Sequence, residues 1–334
     1  MNDFFNSLII HLENIHEGTF FYNVLSYLHY ILFPLVVIFI VVIIRNILFT
    51  NLIKKSLDSQ ESLRNNLDVF KTRFDFLKKL QKDVMYGDSD KPKGIDYHIY
   101  CRPLEQVGGD YFNVSVVNNK NIFCIGDVTG HGYTALLLLL MVHIVIKNII
   151  SFGLFKSKEI LVHLNKILKQ HIINLSTAKS VNILFIDNII DTNTFNYAGR
   201  HESIFIMRAD SNEIEEIDTF DNGFPIAILD DIEDLVEDNS FVLGDDDIVF
   251  LYTDGFTQLM EVYLDIPDND IKYCNIEEEC KIKIKELLFS QKGKSTKEIV
   301  SYFKELIDKF KYFQKDDVTI VAFKISKKDT NKCK

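Results

Sequence analysis

No aspartate, glutamate, lysine or arginine occurs between Gly18 and Ile44, and this stretch constrains the chain more than any other. Its densest part, residues 31–44, reads ILFPLVVIFIVVII. With Tyr22, Tyr27 and Tyr30 before it, the segment is long enough to cross a bilayer as a helix. Tyrosines at one end and Arg45 at the other suit the two membrane interfaces. A cleaved signal peptide competes poorly: the preceding residues carry Asp3, Glu13 and Glu17 instead of a basic leader, and no small-residue cleavage site follows. A buried globular helix is the other alternative. The expectation is a short extracytoplasmic piece over residues 1–22 and a transmembrane helix over 23–46. Downstream come Arg45, Lys54, Lys55, Arg64, Lys71 and Arg73, so the positive-inside rule places the rest of the chain in the cytoplasm, below the cell membrane. A second apolar run, residues 135–146 (ALLLLLMVHIVI), is shorter than a span and closes with Lys147 and Asn148, which predicts a buried core helix.

Residues 47–85 are rich in charge, with Leu57, Leu63, Leu67, Phe70, Phe74, Leu77 and Leu80 largely at spacings of three and four. That pattern predicts an amphipathic linker helix, which either packs on its own domain or pairs with its twin in a homodimer. Residues 86–94, with two glycines and a proline, mark the next boundary. The 334 residues are 47% hydrophobic and 25% charged, so the remainder holds a substantial core. The net charge of −11 speaks against a nucleic-acid binder and suits a collector of divalent cations. Of five cysteines, Cys101, Cys124, Cys274, Cys280 and Cys333, none forms a CxxC pair. Cys101 and Cys124 sit in apolar strand-like runs, as buried thiols of a reducing compartment do.

From 86 to 328 the pattern predicts one α+β domain, followed by a tail over 329–334. Strand-like runs occur at 97–101, 111–117, 122–125, 181–186, 194–197, 204–207, 248–252 and 318–325, with Asn118–Asn119 as a hairpin turn. Helical patterns cover 133–150, 158–173 and 296–313. Many antiparallel strands with grouped helices argue against a doubly wound sheet.

Four acidic motifs stand at ends of these strands beside glycine or a turn. Asp110 lies in Val-Gly-Gly-Asp-Tyr-Phe and Asp127 in Gly-Asp-Val-Thr-Gly-His-Gly; Asp254 lies in Leu-Tyr-Thr-Asp-Gly, and Asp316 and Asp317 in Asp-Asp-Val-Thr-Ile. Carboxylates converging on one sheet edge repel unless a hard cation neutralises them, and an all-oxygen donor set suits Mg²⁺ or Mn²⁺. Any single Asp-Gly pair is equally well a turn. Asp245-Asp246-Asp247 is expected to be such a solvated turn.

Taken together and in this order, the four motifs resemble the bacterial branch of the metal-dependent protein phosphatases (the protein phosphatase 2C family), in particular the sporulation stage II E type, over residues 95–325. The resemblance implies two antiparallel sheets sandwiched between helices, with two divalent cations at one edge. It implies that Asp127 bridges the ions, the Val128 carbonyl binds one, Asp254 and Asp316 complete one shell, and Asp110 holds the other directly or through water. The reaction implied is removal of phosphate from serine or threonine of a cytoplasmic regulatory phosphoprotein, such as an anti-sigma-factor antagonist, by a metal-activated water. Asp127 and Asp254 are then the residues on which the chemistry depends. His131 is either a proton donor to the leaving alkoxide or a helix-entry residue after a Thr129 cap, the second being preferred. Asp317 is expected to support the site without ligating. Where the family has Asn-Ala-Gly-His, this chain reads Tyr197-Ala198-Gly199-Arg200-His201, so Arg200 is either a surface residue or a phosphate contact. Residues 265–280, with Glu277-Glu278-Glu279, are expected to form a substrate-reading flap or a solvated loop. Two other functions compete: a catalytically inactive membrane scaffold, and a diguanylate cyclase suggested by Gly108-Gly109-Asp110-Tyr111-Phe112. The second fails at Tyr111, where an acid is needed, and leaves the later motifs unexplained.

Overall fold

The computed structural model describes residues 2–84, 89–130, 132–172, 180–220, 223–265 and 276–326, with the backbone alone for most of 2–31. Two compact units are present, residues 1–73 and 74–334.

The first unit is helical. Helix α1 (Asn2–Lys82) is unbroken over 81 residues, so the three segments read from the sequence merge into one element. The reason is local: Pro34 is the last proline or glycine before Lys82, and nothing after it interrupts the helix. Leu32 to Phe49 expose their apolar side chains all round. A helix apolar on every face needs lipid or protein around it. Leu57, Leu63, Leu67 and Phe70 are also exposed, as a stripe.

The second unit opens with the end of α1, where Phe74, Leu77 and Leu80 become half-buried. Ten strands follow among the described residues: β1 (Ile95–Arg102), β2 (Tyr111–Val117), β3 (Lys120–Val128), β4 (Val181–Ile189), β5 (Thr194–Arg200), β6 (Ile204–Met207), β7 (Ile214–Ile217), β8 (Asn239–Val242), β9 (Ile248–Tyr252) and β10 (Val318–Ile325). They form two antiparallel sheets, ordered β1-β10-β9-β6-β7 and β2-β3-β4-β5-β8. Helices α2 (Gly132–Ser151) and α3 (Ser157–Ile172) pack on the second sheet. Helices α4 (Asp254–Tyr263), α5 (Ile276–Phe289) and α6 (Thr296–Lys309) pack on the first.

Strand periodicity builds this sandwich. In β10, Val318, Ile320 and Ala322 face the helices while Val321 and Phe323 face the other sheet. In β3, Ile122 and Cys124 face α2 and α3 while Phe123 and Ile125 face inward. Both faces are covered, so the middle of each strand reads as a continuous apolar run, Ile320 to Phe323 in β10 and Ile122 to Ile125 in β3. Phe123 and Phe323 stack between the sheets with ring centroids 5.0 Å apart. Asn118 and Asn119 form the expected turn, both with positive φ (46° and 61°), where Asn is among the residues that tolerate it best. Helix α2 buries Ala135, Leu136, Leu138, Leu139, Val142 and Ile146, as a core helix does.

Some elements differ from the sequence reading. β7 and β8 are short polar edge strands, whose charged and hydroxyl residues hide the strand signal. Glu277, Glu278 and Glu279 form the first turn of α5 instead of a loop or flap; carboxylates are favoured there by the helix dipole, and Cys280, Ile284 and Leu288 anchor the helix. Residues 266–275, the rest of that segment, lie outside the described residues, as do His131, Cys274, Cys333, residues 85–88 of the boundary and the tail. Asp247 is not solvated: it is buried and accepts hydrogen bonds from Ala209 N (2.8 Å), Gly244 N (2.8 Å) and Arg208 Nη1 (2.7 Å). Asp245 and Asp246 are exposed as expected.

Candidate active site

One end of the sandwich gathers the acidic motifs. The β2–β3 register pairs Tyr111 with Gly126, which sets Asp110 beside Asp127, and Val128 N donates to Gly109 O (3.3 Å). On the other sheet, β9 and β10 pair Tyr252 with Ile320, and Thr253 N donates to Thr319 O (3.0 Å), so Asp254 and Asp316 leave the same edge. Asp110 joins the two sheets. Its Oδ2 accepts from Thr253 Oγ1 (2.9 Å) and Thr319 Oγ1 (2.7 Å), while Thr253 Oγ1 itself accepts from Thr319 N (2.9 Å). Asp317 tethers the loop before Asp110, accepting from Leu104 N (2.7 Å) and Gly109 N (2.6 Å). Close approach demands glycine here: a Cβ on Gly109 would lie 2.6 Å from Val128 O.

The carboxylates strain against burial and one another. Burial lifts the Asp127 carboxyl to about 8, with Asp254, Asp316 and Asp317 adding repulsion. Burial also raises Asp110 well above the carboxylate range, followed by repulsion from Asp127 and Asp317. Asp254 is raised by burial and then by Asp316. Oδ1 of Asp110 and Oδ1 of Asp254 are buried with no hydrogen-bond partner. Unsatisfied buried carboxylate oxygens in an all-oxygen set fit a hard dication such as Mg²⁺ or Mn²⁺. Among the described residues no three acidic, His or Cys side chains close on a single point.

A cavity of about 180 Å³ opens on Asp127 and Asp254, lined also by Asn182, Arg200, His201, Glu202 and Phe220. Glu202 is held up at about 7, by burial first and then by Asp254 and Glu277. His201 is buried and its pKa falls to about 4 through desolvation, so the ring is neutral near pH 7. A buried neutral histidine contributes stability that is fully present above pH 6.5 and is lost as pH falls towards 4. His201→Gln is therefore expected to flatten the acid side of the stability profile between pH 6.5 and 4, by up to about 3 kcal/mol, in urea titrations at stepped pH.

Thus Asp110, Asp127, Val128, Asp254 and Asp316 come to one edge. Thr129 uses its hydroxyl to accept from Ser180 N (3.0 Å). Arg200 is half-buried, not a plain surface residue. The sequence reading missed Thr253 and Thr319, though each stands beside a motif aspartate and a strand-end hydroxyl was the available signal. It also missed Gln81 near the end of α1, whose amide grips the Gly108 backbone twice: Nε2 donates to Gly108 O (2.9 Å) and Oε1 accepts from Gly108 N (3.3 Å). No local pattern announces such a long-range contact. A fragment starting at residue 86 loses this grip, whereas one starting at 74 keeps it. The shorter fragment is expected to need several-fold more Mn²⁺ for half-maximal stabilisation in thermal melts.

The sequence profile of Stage II sporulation protein E (SpoIIE) matches residues 118–326. The phosphoserine phosphatase RsbU of Bacillus subtilis (strain 168) is 21% identical over 268 residues, covering 79% of this chain and 73% of RsbU. The PP2C domain of SiaA from Pseudomonas aeruginosa has a TM-score of 0.57 at 16% identity, over 80% of this chain and 98% of that one. The PP2C phosphatase domain of SpoIIE from Bacillus subtilis, solved with a fragment of its regulatory domain, has a TM-score of 0.53 at 18% identity. That alignment covers 70% of this chain and 64% of the other, less than two thirds of its length. With the profile matched over well more than half its length and two antiparallel sheets packed between helices, the chain belongs to the SpoIIE family and has the PP2C phosphatase fold.

Proposed function

We propose that this chain is a metal-dependent protein serine/threonine phosphatase, anchored in the cell membrane by residues 23–46 and acting on a cytoplasmic regulatory phosphoprotein. The observation that supports the reading best is the bridging of both sheets by Asp110, at the end of the sandwich where the four acidic motifs lie. Asp127, the Val128 carbonyl, Asp254, Asp316 and Asp110 would hold two divalent cations, Mn²⁺ or Mg²⁺. When bound, such ions activate a water and neutralise charge on the phosphoryl group. The chain's own part is positional: Thr253 and Thr319 fix one oxygen of Asp110 and leave the other free, and Asp317 holds the loop that carries it. The water oxygen bonds to phosphorus as the phosphorus–serine oxygen bond breaks, giving inorganic phosphate and a free hydroxyl. The likeness to a phosphoserine phosphatase supports this choice of substrate class.

Anchoring rests on the exposed apolar span of α1 and its basic C-terminal flank. The exposed stripe from Leu57 to Phe70 suits pairing with a second copy. The test is phosphate release from phosphoserine and phosphothreonine peptides by the purified full-length protein. Release with Mn²⁺ that stops in EDTA is expected; a protein inert toward both peptides at saturating Mn²⁺ and Mg²⁺ would sink the reading.

A further inference from the structure

Arg200 ends β5, and its surroundings are built rather than incidental. Its guanidinium carbon lies 3.4 Å from the centroid of the Phe220 ring, a close stacking contact. Its Nε is buried and has no hydrogen-bond partner. Phe220 is held in place from behind. Thr219, fully buried, accepts from His201 N (3.0 Å) and donates to His201 O (2.6 Å), and Phe220 N donates to Asp218 Oδ1 (2.8 Å). Gly223 packs so tightly on this strand that a Cβ there would sit 2.6 Å from the Gly199 carbonyl carbon. Thr219 and Gly223 are thereby each fixed against the chain at the end of β5.

The cavity that Arg200 lines also holds Asp127 and Asp254. Its neighbour Asn182 stands opposite Asp127 in the β3–β4 register and has an Oδ1 without a partner. An arginine here could have neutralised the acidic edge by pairing with a carboxylate. It makes no ion pair with a described residue, and its face is turned onto an aromatic ring. Stacking by the face leaves the edge of the guanidinium, where all its N–H donors lie, for a planar or tetrahedral oxyanion. Arginine is well suited to phosphate because two parallel N–H groups meet two oxygens.

We propose that Arg200, braced by Phe220, is the group that binds the phosphoryl oxygens of the substrate beside Asp127 and Asp254. The assignment deepens the phosphatase reading and rests on it for the identity of the anion. The donors of Arg200 engage oxygens that stay on phosphorus in substrate and in released phosphate alike. Losing them weakens binding of both, and affects metal affinity far less.

The test uses the full-length protein in detergent with Mn²⁺. The Michaelis constant for p-nitrophenyl phosphate and the inhibition constant of inorganic phosphate are measured for wild type, Arg200→Gln, Arg200→Lys and Phe220→Leu. Arg200→Gln is expected to raise both constants about 10- to 100-fold, the range for a lost charged hydrogen-bond pair, with a smaller change in kcat. Arg200→Lys recovers part of the loss, and Phe220→Leu shows a milder rise in both constants with Mn²⁺ affinity retained. If wild type turns over and all variants stay within about twofold of it in both constants, the assignment fails while the phosphatase reading stands. If wild type does not turn over, the phosphatase reading fails, and calorimetric titration with inorganic phosphate decides the rest. Binding by wild type that Arg200→Gln loses keeps the anion site; absent or equal binding overturns it. Should Arg200→Gln fail to fold by circular dichroism, Arg200→Lys and Phe220→Leu decide on the same criteria.

Discussion

Replacing Asp127 with asparagine is expected to lower phosphomonoester turnover by ~10³-fold or more, while making the metal-free protein more stable. The two effects have one cause. Burial disfavours the Asp127 carboxylate most, and repulsion from Asp254, Asp316 and Asp317 adds to the cost. Dications bound at this edge would be held by that negative charge, so an amide, which carries no charge, would weaken their binding. Without dications the same charge only repels. The sign follows from linkage: an acid raised to about 8 in the fold contributes stability that is present below its ordinary value near 4 and is lost as pH rises through 8. In EDTA the variant should therefore melt higher than wild type at pH 9, and the difference should vanish towards pH 4. Melts of residues 74–334 across that range, with parallel turnover in Mn²⁺, read both halves. A variant that loses activity and stability together at pH 9 in EDTA would mean that Asp127 holds the fold, not the ions.

Gly255→Ala is expected to cost about 3 kcal/mol or more of stability and to abolish activity with it. A Cβ there would stand 1.9 Å from the Asp317 carbonyl oxygen and 2.9 Å from its carbon. Both are backbone atoms, so no rotamer relieves the clash. Either α4 or the start of β10 must move, and that motion separates Asp254 from Asp316 and Asp317. Gly153 is the control. It has φ +96° but nothing within 4 Å of a Cβ, so alanine there meets only backbone strain of ~1 kcal/mol. Urea unfolding of the two variants should separate them clearly; equal midpoints would show that the α4–β10 contact yields easily.

Much of this fold was legible because both faces of the central strands are covered. β6 and β9 read as unbroken apolar runs and β2 and β10 as mainly apolar ones, and their boundaries matched the structure residue for residue. Edge strands carry no such signal: β7 is Ile-Glu-Glu-Ile, and only pairing with β6 makes it a strand. Helix α4 was hidden for a different reason. Asp254-Gly255 looks like a turn, yet Asp254 opens the helix where a carboxylate is favoured. The site followed the same division. The motif aspartates were legible because each stands at a strand end. Their supports were not, since the hydroxyls of Thr253 and Thr319 and the amide of Gln81 act on residues distant in the chain. The side of Arg200 that matters depends on Phe220, twenty residues further along the chain, which only the fold brings against it.

The central claim is that this carboxylate edge holds divalent cations and uses them to hydrolyse a phosphomonoester. The most direct measurement is hydrolysis of p-nitrophenyl phosphate by residues 74–334, in Mn²⁺ and in EDTA, for wild type and Asp254→Asn. Mn²⁺-dependent turnover is expected for wild type, with none in EDTA and none for the variant at any Mn²⁺ concentration. Turnover that survives EDTA, or an Asp254→Asn protein as active as wild type, would contradict it.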